Sequence, residues 1–435
     1  RQATAGAALG LSKGASWLAQ FLARLRPPTE ATEEDRGGTL APLLLAVLIP
    51  LVVALVVTSV YFERGRVAGL SQIKQGINNA LAIAQQAGQS PEMARQQYNE
   101  VLRLAAEADS VRPGDSDVQQ ARQEAITNLD WLDGVTRLVE RPFYQYPPDT
   151  QLGVVALREG FNGGLFTLDR AAGQVYRHDT DESYTTLTVP DPVVISFNSQ
   201  AVGSHVVGQL IDLTWRPKGT ATSRDGLAML DSRGALITFY PSFEDIRAVP
   251  LPLASDWRQP VAVATYDERL YILDVEAEQI WRYFPEGEGF TANDAQRSLA
   301  FEGDADLDQV VDFTIYAEDG SVLLLYRDGR LRRYVAGRLL WGEAELAENG
   351  LQSPLIAPTA VEIVGQGLNS SIFILDPGSG RIVQLSLGGT FLAQYKAQLD
   401  TGQELFAAAT YLAVIENPLR IFATAGNILY LTTQE

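Results

Sequence analysis

The chain has 435 residues, no cysteine, two histidines and a formal net charge of −19. Lack of Cys excludes a disulfide framework, a thiolate metal site and a cysteine nucleophile, and having only His178 and His205 leaves little material for zinc or Ser/His/Asp chemistry. The first 66 residues carry a net charge of +2 and the remainder −21, a balance that repels phosphate backbones and argues against nucleic-acid binding.

The chain opens at Arg1 rather than Met, as a fragment or processed product would. Trp17, Leu18, Phe21, Leu22 and Leu25 then recur at helical spacing beside Arg24 and Arg26, ending at Pro27-Pro28. Two readings of this segment stand side by side: a helix lying in a membrane interface, or the tail of an upstream globular domain. From Gly37 to Phe62 there is no charged residue. Leu40 to Tyr61 as a helix would reach about 33 Å at roughly 1.5 Å per residue, enough for a hydrocarbon layer of about 30 Å. The run exceeds a signal-peptide core and follows Glu30, Glu33, Glu34 and Asp35, so it reads as a transmembrane helix over 39–62 behind an N-terminal cytoplasmic or interfacial segment, 1–38. Arg24, Arg26 and Arg36 on one flank balance Arg64, Arg66 and Lys74 on the other, so charge alone does not orient it.

Residues 63–140 read as a helical neck, with stretches near 67–87, 91–109 and 116–138. Ser90 before Pro91 is a good helix start, and Ser116 with Gln119 has capping-box spacing. Ala94, Tyr98, Val101, Leu102 and Ala105 form one apolar face, and Val118, Ala121, Ala125, Leu129, Leu132 and Val135 another. With the turn Arg112-Pro113-Gly114-Asp115 between them, the pair is similar to one tetratricopeptide-like hairpin, a spacer rather than a groove.

From 141 to 435 the texture changes to short apolar runs punctuated by Gly, Asp and Asn. Six runs, starting at Val154, Leu210, Val261, Val310, Ala360 and Ala407, recur about every 46–56 residues. Most are followed by a second strand ending in Leu-Asp, as at Leu168-Asp169, Leu273-Asp274 and Leu375-Asp376, and then by a third such as Gly173-Gln174-Val175-Tyr176-Arg177. Asp starts a tight turn by bonding its own backbone, and Gly supplies positive φ. Four-stranded units of this period predict a mainly β fold, a six-bladed β-propeller. A strand from 143–150 or from the last residues is expected to close the ring.

Through these Leu-Asp…Gly-x-Ile/Val-x-Arg-Tyr units the chain resembles six-bladed propellers of the NHL and YWTD-like kind. The order of interfacial segment, anchor, neck ending in Asn128-Leu129-Asp130-Trp131-Leu132-Asp133-Gly134-Val135, and propeller also resembles the membrane-linked region of bacterial receptor-like proteins of the Chloroflexota type. That resemblance implies a cytoplasmic PPM-type serine/threonine phosphatase upstream and a propeller outside the cytoplasm. No phosphatase or kinase motif occurs in the chain itself.

Asp304-Ala305-Asp306-Leu307-Asp308 alternates carboxylates like a calcium loop, but Gln309 takes the glycine position and Ile315 the bidentate Glu position, so it reads as a solvated loop. His178 to Glu182 reads as a polar blade turn and His205 as a strand-edge residue. The ends of the innermost strands carry Arg158, Trp215, Arg216, Tyr266 and Tyr316, residue types favoured in contacts and the expected ligand-binding set. No catalytic residue, metal or cofactor is expected. The functional expectation is a noncatalytic, single-pass, extracytoplasmic sensor module for an envelope protein or small ligand, with the bilayer as the partner of 39–62. A structural subunit of an envelope complex is the alternative, and a calcium-dependent lactonase-like hydrolase a third reading.

Overall fold

The computed structural model describes residues 48, 51–53, 69–87, 90–158, 164–291 and 298–434. The interfacial segment and nearly all of the expected anchor lie outside these. Leu48 and 51–53 within the anchor are helical, with Leu48, Leu51 and Val53 exposed. Among the described residues no helix is long and apolar enough to cross a membrane.

Three helices follow: α1 (69–86), α2 (Pro91–Val111) and α3 (Ser116–Asp133). The chain divides into two compact units, 1–80 with 100–121, and 81–99 with 122–435. In the first, Lys74 bonds Asp117 at 2.9 Å and pairs with Asp115, and a Cβ at Gly76 would stand 3.2 Å from the Leu104 side chain, so α1 and α2 approach closely there. The start of α3 differs from expectation. Asp115, not Ser116, caps it, its Oδ1 accepting the amides of Asp117 and Val118. Asp115 is the better acceptor because it is ionised and Lys74 holds its carboxyl below the usual range. The end differs too: α3 stops at Asp133 because Gly134 turns the chain with φ +65°, and Val135–Arg137 become strand.

The second unit contains a closed ring of six sheets, each built on four antiparallel strands, one of them extended by a fifth. The innermost strands are Leu152–Leu157, Leu210–Arg216, Pro260–Tyr266, Val310–Ile315, Ala360–Val364 and Ala409–Ile415, each beside the next, with the sixth against the first. The second strands are the most buried; Leu227 to Leu230 and Ile372 to Leu375 are fully enclosed between neighbouring blades. Packing of these faces from blade to blade is what gives a radial array its core.

The ring is closed from the N-terminal side. Val139–Gln145 supplies the outermost strand of the sixth blade, antiparallel to Ile428–Thr433. It begins four residues earlier than the strand expected at 143–150. Just before it, Val135–Arg137 adds a fifth strand to the fifth blade, parallel to Gln394, Tyr395 and Lys396. Leu138, between the two, is buried with Phe373, Leu405 and Tyr430, so eleven residues, 135–145, bind two blades together.

The Leu-Asp punctuation does more than turn the chain. Asp274 is fully buried and accepts four hydrogen bonds: Gln259 N and Ala277 N on Oδ1, Arg258 N and Trp281 Nε1 on Oδ2. It therefore ties its own turn to the loop leading into the innermost strand. Asp169 does the same through the amides of Gln151, Ala171 and Ala172, and Asp376 through those of Ile356 and Ala357. In the fourth blade Tyr326 occupies the corresponding register position, and its hydroxyl donates to Ala305 O at 2.7 Å.

Candidate functional site

The third residue of three innermost strands is acidic: Asp212, Asp312 and Glu362. Side chains here face the axis, and each carboxylate reaches the backbone of the next blade. Val263 N donates to Asp212 at 2.7 Å, Val361 N to Asp312 at 2.8 Å, and Val414 N to Glu362 at 3.0 Å. On the sixth blade Thr410 Oγ1 donates to Leu152 O at 3.0 Å. These bonds join blades 2 to 3, 4 to 5, 5 to 6 and 6 to 1 along the innermost strands.

An axial cavity of about 850 Å³ opens where the innermost strands begin. Its walls are Asp212, Ala262, Val310, Asp312, Ala409 and Tyr411; its rim includes Arg170, Glu276, Asp308, Arg327 and Thr359. Every blade contributes at least one residue. Burial pushes the Asp212 carboxyl up to about 6, against the opposing field of Arg170. Burial together with the charge of Asp212 raises Asp312 well above the carboxylate range, and burial likewise raises the Tyr411 phenol. The cavity is thus an acidic shaft whose mouth carries both guanidinium groups, Arg170 and Arg327, and carboxylates, Glu276 and Asp308.

The five residues expected to bind ligand stand at the other ends of these strands, and none lines the cavity. Arg158 is exposed, its guanidinium 5.7 Å from the centre of the Trp215 ring. Arg216 is buried over Phe290 at 4.6 Å, with Nη1 donating to Glu288 O at 3.4 Å, and burial lowers its pKa. Tyr266 packs against Gly320, and buried Tyr316 donates to Gly367 O at 3.1 Å. Arg158 and Trp215 are brought together, whereas Tyr266 and Tyr316 serve loop packing. Beside them Glu268 accepts the amides of Thr220, Ala221 and Thr222 and the Thr220 hydroxyl, bonds that hold its carboxyl down at about 2.

The other motifs have local partners. In the carboxylate-rich loop, Asp304 accepts the Asp306 amide, Asp306 pairs with Arg330 and Asp308 accepts from Gln309. Among the described residues no group of three His, Cys, Asp or Glu side chains is placed to hold a metal. His178 is not a polar turn residue; it is buried, bonded to the Tyr146 hydroxyl at 2.6 Å, and burial lowers its pKa to about 4. His205 sits in a two-residue strand and pairs with Asp231.

Ring closure, blade count and axial cavity define the chain as a six-bladed β-propeller protein. No protein-family model matches it, and no curated protein matches it. Among solved structures it is similar to the crystal structure of the WD40 β-propeller domain of Doa1, with 11% identity over 68% of this chain and 97% of that one, at a TM-score of 0.38.

Proposed function

We propose that this chain is a noncatalytic recognition module in which the propeller takes a ligand at the axial cavity and the helical neck holds it away from a membrane crossed by residues 39–62. The observation that carries the reading is the cavity itself. Its volume is in the range of ligand pockets, and its lining comes from all six blades, as expected of a site placed on a symmetric scaffold. The anchor rests on the 26-residue uncharged run. An extracytoplasmic propeller, and a phosphatase domain upstream, rest on the resemblance to anchored bacterial receptor-like proteins. A scaffold role in an envelope complex is the second reading, favoured by the exposed Trp131 beside a groove of about 380 Å³ in the neck.

The purified chain, equilibrated with a small-molecule extract and analysed by mass spectrometry, should retain a compound that Ala408→Trp, at the cavity mouth, releases. Retention of nothing, or equal retention by the variant, would refute the recognition reading. Protease treatment of intact cells tests topology, since an extracytoplasmic propeller is cut or shed without lysis.

A further inference from the structure

Asp212 and Asp312 lie deep in the axial cavity, each 4% exposed. One oxygen of Asp212 takes the Val263 amide at 2.7 Å, while Oδ1 makes no formed hydrogen bond and has only the adjacent Leu213 amide acting on it, whereas both oxygens of Asp312 accept amides, from Phe313 and Val361. A buried carboxylate oxygen without a donor is costly, and a ligand N–H is what would relieve it. Arg170 enters from the first blade. Its stem lies flat against Gly153, where a Cβ would come within 2.2 Å of its Nε, so that glycine makes the seat for the guanidinium. Among the described residues no ion pair joins Arg170 to a carboxylate, although its charge is felt at Asp212 and Asp312, and its five donors match a planar carboxylate.

A simple cation would satisfy the two acids but be repelled by Arg170, and a simple anion would meet the reverse. We infer that the axial cavity binds a small zwitterion, of amino-acid to short-peptide size, with its ammonium at Asp212 and Asp312 and its carboxylate at Arg170. This rests on the recognition reading and specifies its ligand class. Burial of Asp212 and Asp312 leaves them reluctant to ionise unless a cation accompanies them, which favours a ligand that brings its own.

The test is calorimetric titration of the 435-residue chain in detergent with glycylglycine, 4-aminobutyrate, ethylamine and acetate. A zwitterion should saturate and bind about tenfold or more tighter than either single-charge probe, the worth of one charge-assisted contact. Asp212→Asn and Arg170→Met should each weaken it about tenfold. Arg170 is exposed, so its variant reports even if the buried Asn misfolds. Silence with both zwitterions, or unchanged affinity in Arg170→Met, would overturn the inference. If the native chain instead retains a singly charged compound that Ala408→Trp releases, recognition stands and the ligand class falls.

Discussion

Replacing Asp274 tests the claim that the Leu-Asp punctuation is a structural tie. Asp274→Ala leaves four donors without their acceptor: the amides of Arg258, Gln259 and Ala277 and the Trp281 indole. A buried donor left unpaired costs about 1–3 kcal/mol. The loop side of the turn is half-buried, so water can reach some of these groups, and the net loss expected is about 3–5 kcal/mol, the range for removing one partner of a buried charged contact. Asp274→Asn keeps one acceptor and turns an NH₂ toward the remaining donors, for about 2–3 kcal/mol. The control is Asp328→Ala, whose carboxylate is more than half exposed and bonds only Arg330, and which should stay within about 0.5 kcal/mol. Urea midpoints followed by circular dichroism give the differences, and hydrogen exchange should show the Asp274 variants opening first at 257–281. A loss in Asp274→Ala no larger than in Asp328→Ala would refute the reasoning.

Arg137 bonds Asp130 at 2.7 Å and Glu404 at 2.6 Å. Arg137→Ala should therefore speed hydrogen exchange both in 135–138 and in 404–411, and acceleration at one end only would contradict the link. Gly329→Ala, with φ +91° and the Leu355 carbonyl oxygen 2.0 Å from a new Cβ, should cost about 2–4 kcal/mol in the urea midpoint. Stability should also bear two pH signatures. Glu268, held down at about 2, contributes stability above its ordinary 4.5 that is lost as pH falls toward 2. Asp212, raised from 3.8 to about 6, makes the folded state the tighter proton binder, so its contribution declines as pH rises from about 4 to 6. Asp212→Asn should flatten that second slope in unfolding midpoints measured across the window, and an unchanged slope would count against the shift.

Blade spacing was legible because most repeats carry the same turn chemistry: apolar strand, Leu-Asp, then a residue able to take positive φ. Where the text varies, the fold still holds. Glu278 takes φ +50° beside the third blade's turn, and Tyr326 replaces the Asp of the fourth. Ring closure was less legible, since Val139–Gln145 pairs with residues nearly 300 positions away and Val135–Arg137 is too short for any periodicity. The residues expected to bind ligand lie at one end of the innermost strands and the axial cavity lies at the other. Arg, Trp and Tyr at the strand exits drew attention as contact residues, yet most of them pack loops. The axial face left its own signal, acidity where an all-apolar strand was expected: Asp212, Asp312 and Glu362, each third in its run, are costly inside a blade unless they face the axis and meet an amide. The neck helices followed from their periodicity, except at Gly134, whose left-handed turn ended α3 five residues early.

The arrangement of 135–145 has a consequence for biosynthesis. This segment leaves the ribosome before any of the innermost strands, yet its partner on the sixth blade, Ile428–Thr433, is made almost 300 residues later. During translation its unpaired edge must wait for almost 300 residues, in a nascent chain that grows at about 5–20 residues per second. For that interval, on the order of tens of seconds, the polypeptide carries an open strand able to pair with the wrong sheet. Its first half can find the fifth blade earlier, and the salt-bridged Arg137 then parks the second half beside the place where the sixth blade will arrive.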